Sequence, residues 1–432
     1  MKKIIIFILT LESRMIIRKY KPFIVAVTGS VGKTSAKDAI YCVLKDRRRF
    51  VRKSEKSMNS EIGLPLTIIG VANAWHSAAG WASNIMAGLR LIMRRGDYPD
   101  CLILEIGADH PGDIRKVAKW LHPDIAVITK VSSTPVHVEF FSSPEQVFEE
   151  KAALASAVKA GGTLVLFADD EKVMSLAARS TAGQKGVKVI SYGMDDKATV
   201  KGSEDKVIYE NWSPIGFSFK IAVNDAVMPV MLRNAIGRVY AYPLLAAAAV
   251  AQAGGMTLED TVKMLSSYEA PHGRMNVIPG INGSTILDDT YNSSPDAAMS
   301  ALETLKILEC SGTKIAILGD MMELGRYSAE EHRHIGKEAG KIAGRLITAG
   351  QRSRATAEEA VANGLAASAV SSFDDADLAA DFARSVVKTG DIVLVKGSQS
   401  LRMEKVSKAL LREPEKAEKL LVRQEKEWLE KK

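Results

Sequence analysis

One stretch limits what this chain can fold into more than any other: Phe23 to Lys37, FIVAVTGSVGKTSAK. It opens with a β-branched apolar run (Ile24, Val25, Val27), the pattern of a buried parallel strand. It breaks into Thr28-Gly29-Ser30-Val31-Gly32-Lys33-Thr34 and resumes as a helical pattern from Ser35 to Leu44. A strand, a glycine-bearing loop and a helix in that order make a phosphate cradle. Glycines let backbone N–H groups face one anion, and the helix N-terminus adds the positive end of its dipole. Lys33 is expected to reach the β- and γ-phosphates, and the Thr34 hydroxyl to ligate Mg²⁺. The alternative is an ordinary glycine-rich βα turn, but Gly-Lys-Thr falls at the loop-to-helix junction, which favours the cradle. Only Ser30 and Val31 separate the two glycines, where the general pattern has four residues, so the loop is the short variant. The reading is ATP binding by residues Thr28 to Ser35.

At 432 residues the chain has room for two to three domains, and 47% hydrophobic with 25% charged residues is an ordinary globular composition. A formal charge of +7 suits anionic substrates, an acidic membrane surface or simply a solvated basic surface. No basic patch interleaved with aromatics argues for nucleic acid. Cys42, Cys101 and Cys310 are far apart in apolar contexts. They read as reduced residues of a cytoplasmic protein, not as a disulfide frame or a metal knuckle. The opening MKKIIIFILTL has an apolar run too short to span a bilayer and no small-residue cleavage site. It is expected to be a buried first strand, with a weak interfacial anchor as the alternative.

Along the chain, strand and helix signals alternate. Cys101 to Asp109 reads as a buried strand ending in a carboxylate and a glycine turn, with Glu105 where ligands gather in open α/β sheets. Ile125–Thr129 and Leu164–Phe167 are further strands, and Glu145–Leu154 a helix carrying Lys151. Met58 to Pro65 reads as a loop bordering the nucleotide. Trp75 to Arg95 is an amphipathic stripe, read as a packing face with membrane-surface contact as the alternative. From Thr199 to Leu232 polar and apolar residues alternate, which predicts a small antiparallel sheet closing the first large domain. Beyond Pro271 a new α/β unit begins, with strands at Ser284–Asp289, Lys314–Leu318 and Ile392–Val395, and a helix at Asp296–Leu308. From Pro414 the chain reads as a charged, solvated helix. The fold class is α/β: a P-loop, parallel-sheet central domain over 23–271, then a Rossmann-like carboxy-terminal domain over 272–413. A short segment, 1–22, precedes them and a tail, 414–432, follows.

The segments TGSVGKTSAKD, MNSEIGLPLTI, LEIGADHPGDI, HVEFFSSPEQVFEEKAAL, Gly273-Arg274, LDDTYNSSPDAAMSAL, ILGDMMELG and VLVKGS occur in this order from Thr28 to Ser398. Together they resemble the Mur ligase family, and most closely its MurF branch. That resemblance implies an ATP-dependent ligase of peptidoglycan precursor synthesis. It would join D-alanyl-D-alanine to a muramoyl-peptide carboxylate through an acyl phosphate. By resemblance, Lys33 and Thr34 hold the phosphates and a first Mg²⁺, while Glu105 and His137 match ligands of a second. Lys151 matches a lysine that is carbamylated in much of the family. Arg274, Asp289 and Asn292 match nucleotide-contacting positions. Lys396 and Ser398 either bind the incoming dipeptide's carboxylate or cap a helix, and His332 reads as a helix-surface residue.

About 22 residues precede the ATP strand, too few for the UDP-binding domain that the resemblance leads one to expect. UDP recognition would then come from a partner or from another carrier on the substrate. Asp109 stands where the family commonly has Asn, and Arg238 and Tyr242 where it usually has His and Asn. Two other readings remain open: a ligase for another carboxylate (a folate, a polyamide or a non-UDP precursor), and a P-loop ATPase switch that joins nothing.

Overall fold

The computed structural model describes residues 2–55, 58–132, 140–141, 143–183 and 186–430. The chain divides into two compact units, one of Met1–Ser203, Lys220–Val230 and Tyr242–Tyr268, the other of Glu204–Phe219, Met231–Ala241 and Glu269–Lys432.

The first unit is built on parallel strands β1 (Phe23–Thr28), β2 (Val51–Lys53), β3 (Cys101–Glu105), β4 (Ile125–Ile128), β5 (Thr163–Phe167) and β6 (Lys188–Gly193), in the spatial order β2-β3-β1-β4-β5-β6. β1 lies between β3 and β4, with Val25 opposite both Ile103 and Ile125. Every residue of β3, β4 and β5 is buried. Helices cover both faces of a parallel sheet, so its strands read as continuous apolar runs, each fully buried Val, Leu or Ile contributing roughly 1.5–3 kcal/mol. The chain leaves β1 toward β2 and β3 on one side and reaches β4 on the other. The carboxyl end of β1 is therefore a topological switch point, where such sheets bind ligands.

Strands β7 (Val200–Glu210), β8 (Ser213–Val223) and β9 (Ala226–Arg233) follow β6 in the sheet order. β7 joins β6 in parallel through Tyr192 and Val200. Asn211 and Trp212, with φ of 48° and 66°, form the two-residue turn that folds β8 back on β7. The alternating segment thus continues the large sheet, where a separate small one was expected.

The amino-terminal segment departs from expectation more sharply. Lys2–Tyr20 is a helix, α1, not a strand. Its buried residues Leu9, Glu12, Ser13 and Ile16 recur every three or four positions, a helical period that the Ile4-Ile5-Ile6 run conceals. Lys21, with φ of 48°, and then Pro22 end the helix and deliver the chain to β1. After α2 (Lys33–Leu44) and α3 (Gly63–Ile69) comes α4 (Ala78–Met93), and α1 packs on both α3 and α4. Lys19 caps α4: its ammonium donates to the carbonyls of Leu91, Ile92 and Arg94 at 2.8, 2.8 and 2.7 Å.

The second unit holds strands β10 (Asn276–Pro279), β11 (Thr285–Asp289), β12 (Lys314–Gly319), β13 (Arg345–Ala349), β14 (Val370–Phe373) and β15 (Ile392–Lys396), ordered β10-β11-β15-β12-β13-β14. Only β10 is antiparallel to its neighbour. The tail is not one solvated helix. Leu421, Val422, Arg423 and Gln424 are buried. The Arg423 guanidinium donates to Glu404 at 2.9 Å, to the Thr290 carbonyl at 3.1 Å and to the Tyr291 carbonyl.

Glu12 is 3% exposed, its carboxylate lies against Gly88 of α4, and neither oxygen has a hydrogen-bond partner. Burial pushes its carboxyl from 4.5 up to about 7. The folded chain therefore holds this proton more tightly than the unfolded one, and stability falls as pH rises from about 4.5 through about 7. Glu12→Met, of similar length and without charge, is expected to raise the unfolding free energy by about 1–2 kcal/mol more at pH 8 than at pH 5 in urea titrations. An equal effect at both pH values would refute this account of Glu12.

Candidate active site

The carboxyl ends of β1 and β3 and the start of α2 bring one cluster together. Thr28 closes β1, its hydroxyl donating to the Ile106 carbonyl at 2.8 Å. Gly29 follows with φ of 150°, and a Cβ there would meet Thr129 Oγ1 at 1.9 Å, so only glycine fits. Gly32, with φ of 84°, turns the chain into α2, and no side chain caps that helix. The amides of the first turn lack partners within the helix, which leaves them suited to an anion. The loop amides behave differently: Ser30 and Val31 both donate to the Lys130 carbonyl, at 2.8 and 3.3 Å. Lys33 curls back over its own loop, donating to the carbonyls of Gly29 and Ser30 at 3.0 and 3.2 Å. Ser35 is buried one residue beyond Thr34.

Glu105 is the centre of this cluster. Thr34 Oγ1 donates to its Oε1 at 3.0 Å, Asn59 Nδ2 lies 3.4 Å from the same oxygen, and Lys37 Nζ is 3.5 Å from Oε2. Glu105 and Lys37 are both buried. Thr34 and Lys37 share one helix face, three residues apart. Sequence reading did not single out Lys37, although that spacing was available, and placed Asn59 only within the Met58 to Pro65 segment expected to border the nucleotide. Among the described residues no three His, Cys, Asp or Glu side chains gather as a metal cage. A hydroxyl and one carboxylate do fit Mg²⁺, which keeps several waters and takes its remaining oxygens from phosphates. His137, the other expected ligand, lies outside the described residues.

Lys151 is carried on α6, Pro144–Ala155 following α5 (Asp113–Ala118), and is buried. Burial first, and the Lys33 charge second, lower its ammonium from 10.5 to about 7, with Glu150 and Asp109 acting in the opposite direction. Glu150 is itself held by backbone amides of Gly112, Ile114 and Arg115 at 2.9, 2.6 and 3.0 Å, which fixes this turn of α6 against the start of α5.

In the second unit, Lys396 is 1% exposed and donates to Asp289 at 2.6 Å and to the Asn292 carbonyl at 2.9 Å. Burial lowers its pKa and Asp289 opposes that shift. Ser398 accepts the Met322 amide at 2.9 Å. The Arg274 guanidinium lies 4.2 Å over the Tyr291 ring. Asp289, Asn292, Lys396 and Ser398 are thus neighbours, with Lys396 and Ser398 engaged internally. His332 is not on the helix surface: it is 1% exposed, accepts the Met321 amide through Nε2 at 3.0 Å and pairs through Nδ1 with the Ser328 carbonyl at 2.7 Å. That pairing makes it a neutral ring protonated at Nδ1, and burial lowers its pKa accordingly.

Two family models match the chain: the Mur ligase middle domain over residues 27–251, and the Mur ligase, glutamate ligase domain over residues 273–399. The chain belongs to the Mur ligase family. Among its relatives is the UDP-N-acetylmuramoyl-tripeptide--D-alanyl-D-alanine ligase of Mycobacterium tuberculosis (strain CDC 1551 / Oshkosh), 30% identical, the match covering 90% of this chain and 72% of the relative. The ligase of the same name from Bacillus subtilis (strain 168) is 27% identical over 90% of this chain and 76% of its own length. The solved MurF ligase from Thermotoga maritima in complex with ADP is 26% identical, with a TM-score of 0.75 over 96% of this chain and 84% of that one. The family resemblance seen in the motifs therefore holds, as does the α/β architecture.

The Lys37–Glu105 contact has a measurable energy. Lys37→Met leaves a buried carboxylate short of its cation and is expected to cost about 2–3 kcal/mol of stability, whereas Lys37→Met combined with Glu105→Gln should cost less than the sum of the single changes by about 1–2 kcal/mol. Strict additivity in denaturant titrations would show that the two groups do not interact.

Proposed function

We propose that this Mur ligase is an ATP-dependent ligase joining D-alanyl-D-alanine to the carboxylate of a muramoyl-peptide cell-wall precursor in the cytoplasm. The observation that carries the reading is the joining of Thr34, Glu105 and Lys37 at the β1 switch point, with the buried Lys151 within electrostatic reach of Lys33. A nucleotide-dependent switch needs the first part and has no use for a buried lysine poised near neutrality. The names of the relatives support the choice of substrates.

A carboxylate does not react with an amine directly, because hydroxide is a poor leaving group. Transfer of the ATP γ-phosphoryl to that carboxylate gives an acyl phosphate, which the amine attacks with loss of phosphate. Charge spreads over the transferring oxygens, so cations fixed beforehand lower the barrier. Lys33 and the first amides of α2 supply such charge from this chain. Mg²⁺, held by Thr34 and by Glu105 with His137, would neutralise the phosphate oxygens. Arg274, Asp289 and Asn292 are proposed as nucleotide contacts, and Lys396 and Ser398 as contacts of the incoming dipeptide's carboxylate.

Lys151 is proposed to act as its carbamate. An ammonium would repel the metal, whereas a neutral amine adds to CO₂ and becomes an oxygen donor with loss of a proton. With the amine near pH 7, the reactive form increases as pH rises from 6 to 8 and is lost as pH falls. A carbamate signal from ¹³C-bicarbonate, seen by NMR, should follow that course, and Lys33→Ala, by removing one cause of the lowered pKa, should move its midpoint upward. Lys151→Ala should reduce turnover about 10²-fold or more, with partial rescue by added acetate. A full rate in Lys151→Ala would end the carbamate reading.

The ligase reading is tested by phosphate release from purified protein. Release should require both a UDP-muramoyl tripeptide and D-alanyl-D-alanine. Full release with ATP alone would favour a switch, and dependence on another acid would move the substrate assignment.

A further inference from the structure

Helices α1 and α4 lie side by side with their carboxyl ends together, since Glu12 meets Gly88 and Lys19 meets the last carbonyls of α4. Each helix buries one face and leaves an apolar stripe outside. On α1 the stripe is Ile4, Phe7, Leu11 and Met15, spaced three or four residues apart and opposite the buried Leu9, Ser13 and Ile16. On α4 it is Met86, Leu89 and Met93. These seven side chains are between 37% and 72% exposed and are grouped on two packed helices, whereas apolar residues scattered singly on a surface need no explanation. Trp75, 75% exposed, stands just before α4 and accepts a hydrogen bond at its carbonyl from Trp81.

The charge of the chain is concentrated on the same two segments. Residues 2–21 and 78–96 hold nine Lys and Arg against one acid, the buried Glu12, whereas the rest of the chain holds 49 Lys and Arg against 50 Asp and Glu. Eight of the nine basic residues are exposed, among them Lys2 and Lys3 at one end of α1 and Arg18, Arg94 and Arg95 at the other end of the pair. The net positive charge of the protein is therefore carried by the two segments that hold these apolar stripes.

We infer that the α1–α4 face docks on an anionic lipid bilayer, lying in the headgroup region without crossing it. No described helix is long and apolar enough to span a membrane. Apolar side chains enter the acyl boundary while Lys and Arg pair with lipid phosphates, each part adding to the partition free energy. A second copy of the chain fits this face less well, because a two-fold contact would set two such basic rims against each other. The inference does not rest on the ligase reading, and it would hold for any chemistry at the β1 site.

The test is co-sedimentation of the full chain with sucrose-loaded vesicles at 0.1 M NaCl. Vesicles of phosphatidylcholine with about a third phosphatidylglycerol should bind at least tenfold more tightly than pure phosphatidylcholine, and 0.5 M NaCl should remove most of the difference. Arg94→Glu with Arg95→Glu should weaken binding at least tenfold with an unchanged melting temperature, and Phe7→Ser should weaken it as well. No binding to the anionic vesicles, or equal binding to both compositions, would overturn the inference. So would a stable dimer in vesicle-free sedimentation that Phe7→Ser dissociates, since the face would then belong to a second copy.

Discussion

A buried carboxylate at the end of a central strand sets the terms for the first unit. Glu105 is removed from water by the sheet and the helices on it, and such a charge persists only if other groups replace its lost hydration. Thr34, Lys37 and Asn59 do so from α2 and from the segment before α3, and the Glu105 amide is itself bound by Ser54 at 3.1 Å. That requirement orients α2, and with it the uncapped helix start and the Gly32 turn. The buried Glu105 carboxylate and the anion-ready backbone of α2 are therefore held by one set of contacts.

The same logic recurs elsewhere with different outcomes. Lys396 is buried against Asp289 and the Asn292 carbonyl, and Arg423 against Glu404 and two carbonyls, so each cation is matched. Lys151 is matched less completely: Glu150 is committed to three amides of the α5 turn, and Lys33 adds repulsion. A lysine in that position is poised to lose its proton, which links its burial to the proposed carbamate. Glu12 is the opposite case, a carboxylate with no partner where α1 meets α4.

Much of the fold was legible because it is local. The P-loop strand, turn and helix, the strands ending in Glu105 and Asp289, and the helix carrying Lys151 lie where the apolar runs and turn residues put them. Local pattern misled at the amino terminus, where three consecutive isoleucines suggested a strand and the period of Leu9, Ser13 and Ile16 decided for a helix. Contacts between residues distant in sequence were not legible at all. Asn59 reaches Glu105 across 46 positions and Arg423 reaches Thr290 across 133; the segment holding Asn59 was expected near the nucleotide, but nothing in composition or spacing marked either partner. His332 looked like a surface residue because charged neighbours surround it in sequence, yet it faces inward to hold the Met321 amide.

A crystal structure of the protein with ADP, Mg²⁺ and a phosphate analogue would test the central claim most directly. The account predicts a magnesium ion about 2.1 Å from Thr34 Oγ1, with Glu105 and Lys151 facing the analogue. Phosphates bound away from the start of α2, with Glu105 still closed on Lys37 and no metal beside Thr34, would contradict it.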